Sequence, residues 1–138
     1  MTIFLFLLSL TMNQSTDPLS GYRWENRILL IFANEKEQSE VKNQLQHFKT
    51  HHAGLKERDL ILFEVYGDKG SGPEGTLESE EVDYLQSRFN PQGDYTIILV
   101  GKDGGEKLRQ SKLLDHKKLF ATIDAMPMRQ SEMRRQGN

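Results

Sequence analysis

Four small groups of polar side chains in this sequence are of types that could do chemistry. His47 and His51 stand four residues apart, the spacing that places two imidazoles on one face of a helix, and His52 is adjacent. Such a pair is half of a metal site, but there is no HExxH pattern, no third ligand is specified, and charged neighbours mark a solvent-facing surface, so no metal is expected. Lys102 and Asp103 lie in Gly101-Lys102-Asp103-Gly104-Gly105, where a hairpin tip would offer an ammonium and a carboxylate to a partner; Asp-Gly also serves turn chemistry alone. Asp124, Met126, Met128 and Arg129 cluster near the end of the chain. Arg129 could grip a carboxylate-bearing ligand, or pair with Asp124 while the methionines fill gaps in the core. Asn34, Glu35 and Glu37 follow the first internal apolar run, the place where open α/β sheets bind ligands, and their carboxylates could act as acid, base or cation ligand. They equally complement a helix dipole. Lys102, Asp103, Asp124 and Arg129 are the candidate binding residues; no catalytic residue is assigned.

Composition removes several function classes. The 138 residues include no cysteine, which excludes disulfides, thiolate metal sites and thiol redox chemistry together. The glycines at 67, 70, 72 and 75 lack the GxxxxGK[ST] order of a phosphate loop, and no cofactor is expected. Eighteen basic against twenty acidic residues leave a formal charge of −2, so no overall field recruits nucleic acid, and Arg129, Arg134 and Arg135 make only a weak basic footprint.

These residues need elements to position them. Ile3 to Leu10 is an apolar run of signal-peptide length, too short to span a bilayer, so residues 1–16 read as an export signal or apolar segment and the chain as periplasmic or extracellular. Arg27 to Ala33, Leu60 to Val65 and Tyr95 to Val100 are buried strands. Val41, Leu45 and Phe48 recur at helical spacing between Lys36 and His52, with Gly54 as the expected cap. A mobile loop is expected over Gly67 to Gly75, then a helix from Glu78 to Phe89 closed by Asn90-Pro91-Gln92-Gly93. Asp103-Gly104 predicts an antiparallel hairpin joining Val100 to the stretch Glu106 to Arg109. Asp115 should cap a last helix that Pro127 stops, with residues 133–138 a polar basic tail. The order is β-α-β-α-β-β-α, an α/β domain over 17–132 with a mixed sheet of four strands flanked by helices.

Asp17-Pro18-Leu19, Trp24, Arg27, Arg58-Asp59, Gly101-Lys102-Asp103-Gly104 and Ile123-Asp124-Ala125-Met126-Pro127-Met128-Arg129 together resemble a domain family of unknown function. That family occurs in bacterial exported proteins and in the extracellular sushi-repeat-containing proteins of animals. The resemblance implies a thioredoxin-like, peroxiredoxin-related fold and an extracytoplasmic location, with matrix and cell-surface binding among the animal relatives. In thioredoxins and peroxiredoxins the reactive cysteine lies between the first strand and first helix, here Ala33 to Ser39, where none stands. The expected function is a non-catalytic module binding an envelope or extracellular protein or glycan. The competing expectation is a cysteine-independent enzyme built from Glu35, Asp124 and Arg129.

Overall fold

A computed structural model describes residues 16–137, so the apolar run at 3–10 lies outside the described residues. Strand β1, Arg27–Ala33, runs through the centre of the sheet and is buried on both faces. Successive side chains of a strand point to opposite faces, which divides the core in two. Ile28, Leu30 and Phe32 join one cluster, Leu29 and Ile31 the other. Strand β2, Leu60–Tyr66, lies parallel to β1, with Leu60 opposite Arg27 and Tyr66 opposite Ala33. The crossover between them is helix α1, Ser39–Thr50, which buries Val41, Gln44 and Phe48.

Helix α3, Ser79–Phe89, covers the first cluster through Val82, Leu85 and Phe89, and a Glu78/Glu81 capping box starts it. Strand β5, Tyr95–Val100, is antiparallel to β1, and β6, Glu106–Gln110, returns beside β5 after the expected turn. Helix α4, His116–Asp124, covers the second cluster with Leu119 and Ile123; Asp115 caps it, accepting the Lys117 amide at 2.9 Å. The resulting mixed sheet flanked by helices is the α/β architecture expected from the sequence. No helix among the described residues is long and apolar enough to cross a membrane.

Three sequence expectations need correction. The sheet has six strands, in the order β4-β3-β2-β1-β5-β6, rather than four. The added pair, β3 at Lys69–Gly72 and β4 at Gly75–Thr76, forms from the glycine-rich segment read as a mobile loop. Glycine disfavours strands in isolation, but β3 passes so close to Phe63 that a Cβ on Gly72 would come within 2.5 Å of the ring. Nor does Gly54 end a helix: it lies inside α2, His52–Glu57, where its missing Cβ leaves room for Phe120. Finally, Pro127 does stop α4, but as the first residue of another helix, α5, Pro127–Gln136. Proline lacks only a donor that a first helical turn does not use, so the residues read as a tail continue in a helix that buries Arg129.

Candidate functional site

Three of the four candidate binding residues converge at the end of the sheet where β1 and β2 begin. Glu132 on α5 accepts from both terminal nitrogens of Arg27, at 3.1 and 3.2 Å, and from Lys102 Nζ at 2.6 Å. Lys102 also pairs with Asp59 at 2.8 Å. Asp124 receives two hydrogen bonds from Arg58, at 3.0 and 2.8 Å, and one from Arg129 at 3.1 Å; Arg129 also reaches Glu57. Arg27 and Arg129 are each 1% exposed and Lys102 8%. Lys102 is therefore not the projecting ammonium expected at a hairpin tip. Its aliphatic stem crosses buried ground to reach two carboxylates, the only way a lysine is accommodated there.

This network is electrostatically saturated. Hydrogen bonds from Arg58 above all, then from Arg129, hold the Asp124 carboxyl below its ordinary value against partial burial. Burial pushes Glu132 up, but Lys102 and Arg27 outweigh it and hold it low as well. Arg27 Nε alone among the buried side-chain polar atoms described has no partner. Every carboxylate of this network is paired with a cation, as charges at buried positions require.

The first-strand loop lies at the opposite end of the sheet. Arg27 and Ala33 are six residues apart on β1, about 20 Å. Glu35, just past Ala33, thus does not share a cleft with Asp124 and Arg129, and general acid-base roles require hydrogen-bond reach. The Asn34 and Glu35 amides both donate to Gln38 Oε1 at 2.8 Å, and Gln38 Nε2 donates to the Asp94 carbonyl at 2.9 Å. This loop holds no thiol, and its Asn34 and Glu35 amides are both engaged within it.

Asp103 does sit in the turn, accepting the Gly105 amide at 2.9 Å and Lys107 Nζ at 2.8 Å, which lower its carboxyl below the usual range. The turn separates two hollows. One, of about 370 Å³, is lined by Arg23, Asn26, Arg88 and Asp103 among others. The other, of about 230 Å³, is lined by Arg27, Lys107, Met126 and Met128. Beside the turn, Trp24 donates its amide to the Lys102 carbonyl at 2.6 Å, with φ at 71° and 58% of its surface exposed. Met128 is also exposed, at 40%. The sequence singled out Asp103 but not this aromatic neighbour, since nothing local distinguishes an exposed tryptophan from a core one.

On the other helical face, His47 and His51 meet His116 at the start of α4, with one ligand atom from each within 4.8 Å of the others. Partial burial, then repulsion from His116 and His47, holds His51 below its ordinary value. His52 points away and lines a separate hollow with Leu45 and Phe48. The third imidazole lies 65 or more positions along the chain, beyond any spacing rule.

No curated protein matches this sequence. The fold is similar to the crystal structure of reduced 2-Cys peroxiredoxin from Plasmodium vivax, with a TM-score of 0.58 and 12% identity over 82% of this chain and 84% of that one. At that identity the likeness concerns the fold alone, a thioredoxin-like one, here without cysteine. Residues 18–132 match the family model described as Domain of unknown function (DUF4174), and the chain belongs to that family.

Proposed function

We infer that this domain is a non-catalytic binding module that meets its partner on the face around the Gly101–Gly105 turn. The observation that carries this reading is Trp24, more than half exposed and held at φ 71°. A bulky residue in the left-handed region is costly and persists only where surrounding structure enforces it, and such strain concentrates at functional positions. Tryptophan is also among the residues that dominate binding energies at interfaces. Trp24 and Met128 flank the turn with a hollow on each side, and Asp103, Arg23 and Lys107 supply charge of both signs. The saturated ion pairs and the cysteine-free first-strand loop support the absence of catalysis. The partner is an envelope or extracellular protein or glycan; the apolar run at 3–10 supports that setting.

Trp24 is the only tryptophan in the sequence, so its emission reports on this face directly. Titration with cell-wall fragments, sulfated glycans or matrix proteins should give a saturable emission shift with one of them. Trp24→Ala should weaken that binding about thirtyfold, the equivalent of about 2 kcal/mol. Saturable binding that leaves the emission unchanged overturns the assignment of the face. Turnover of a small substrate that disappears with one side chain overturns the non-catalytic reading.

A further inference from the structure

We propose that His47, His51 and His116, with Asp115, form a binding site for a single divalent first-row transition ion of the zinc class. The geometry carries it. His47 Nε2 and His116 Nδ1 are 3.2 Å apart, and each faces Asp115 Oδ1, at 3.4 and 3.3 Å. Three donor atoms thus form a nearly equilateral triangle. Around a tetrahedral ion with ligand bonds of about 2.0–2.1 Å, neighbouring donors lie about 3.3–3.4 Å apart. Imidazole nitrogen with one carboxylate oxygen is a donor set that zinc accepts readily and that calcium and magnesium do not seek. His51 supplies the fourth position. Its ring stacks on His116 with centroids 3.5 Å apart and planes at 11°, and tilts against the neighbouring His47 ring. Ring contacts alone engage its side chain among the described interactions, so turning its lone pair toward the ion gives up the stack on His116 but no hydrogen bond.

The protein also prepares its donors. The His116 amide donates to His47 Nε2 at 2.9 Å, which puts the His47 proton on Nδ1 and leaves the lone pair on the nitrogen facing the site. An ion takes over that lone pair, and the released amide, in the first turn of a helix, is free to turn to water. Asp115 divides its carboxylate: Oδ2 caps α4 through the Lys117 amide, while Oδ1 remains toward the imidazoles. The spacing between α1 and α4 is set from beneath. Gln44, fully buried and one turn before His47, accepts the Leu114 amide at 2.7 Å and donates to the Leu114 carbonyl at 3.0 Å. Tyr95 adds a hydroxyl to the same Gln44 oxygen at 2.9 Å. Leu114 is two residues from His116, so this clamp fixes the third imidazole against the first two. Partial exposure of His47, His116 and Asp115 gives an ion a path in from solvent.

The test uses the full chain without a histidine tag. Zn(II) affinity and stoichiometry are measured by competition with a chromophoric chelator, and Co(II) is added as a spectroscopic probe. One Zn(II) per chain is expected, with a cobalt spectrum of tetrahedral intensity and a thermal midpoint that rises with Zn(II). His116→Gln should weaken binding by more than about tenfold, and His52→Gln should leave it unchanged. Asp115→Asn, which keeps the helix cap, and His51→Gln should each weaken it and settle the matter if His116→Gln does not fold. The proposal is overturned by a stoichiometry well below one. It is equally overturned if His51→Gln and Asp115→Asn bind as wild type does, or if His52→Gln loses as much affinity as they do.

Discussion

At the scale of single residues, the dominant feature is a buried set of charges that have found one another. Glu132 serves three cations, Arg27, Lys102 and, at 3.7 Å, Arg129, all nearly inaccessible to water. Removing one partner of a buried pair leaves the other charged and unsolvated, which costs about 3–5 kcal/mol. Glu132→Gln should therefore lower stability by about 3 kcal/mol, read as a fall in the urea midpoint at unchanged slope. The same group gives a pH signature. Asp124 and Glu132 both titrate below their ordinary values in the folded state. The stability they contribute is present in full above the unfolded carboxylate values near pH 4 and is lost as pH falls through the lower folded values. Urea midpoints measured from pH 6 down to pH 3 should decline, and Glu132→Gln should show the shallower decline.

At the scale of elements, two contacts decide how the helices sit on the sheet. Gln44 is the sole bridge by side-chain hydrogen bonds, among the described residues, between α1 and the segment leading into α4 other than the His47 contacts. Gln44→Leu keeps the volume but strands a buried amide, a carbonyl and the Tyr95 hydroxyl. At about 1–3 kcal/mol for each unsatisfied buried group, a loss on the order of 3 kcal/mol is expected, seen as a thermal midpoint roughly 10 °C lower. Gly54 presents the opposite balance. Alanine would gain about 1 kcal/mol of helix propensity in α2, but its Cβ would lie 2.5 Å from the Phe120 ring. That ring is covered by the Arg58 guanidinium at 3.9 Å and flanked by His116, so it cannot simply swing away. Gly54→Ala should destabilise by about 1–2 kcal/mol net in the same melts, the sign expected of overpacking.

At the scale of the whole molecule, the two ends of β1 have different characters. The end at Arg27 carries the ion-pair network, the turn at Asp103 and the exposed Trp24; the end at Ala33 carries a loop whose Asn34 and Glu35 amides are engaged by Gln38. The α1/α4 surface carries the imidazoles. Binding of a macromolecule at Trp24 and of an ion at His116 involve separate faces, so their effects should add. Zn(II) should leave the Trp24 titration with any partner unchanged, measured as equal affinities with and without the ion.

The three apolar strands, the α1 and α3 faces, the Asp115 cap, the Asp103 hairpin and the stop at Pro127 were all legible in the sequence. Each depends on local periodicity or on the conformational limits of one or two residues. The absence of cysteine settled the question of thiol chemistry before any fold was known. The glycine strands β3 and β4, the run of α2 through Gly54 and the continuation into α5 were not legible, because each exists through a neighbour that no local pattern names: Phe63, nine positions from Gly72, then Phe120, and Arg27 with Lys102, both far along the chain. Tertiary structure alone decided that Lys102 turns inward, that Glu35 stands a strand's length from Asp124, and that His116 completes the imidazole pair. Burial and ion pairing act between residues tens of positions apart, and the sequence holds the partners without their proximity.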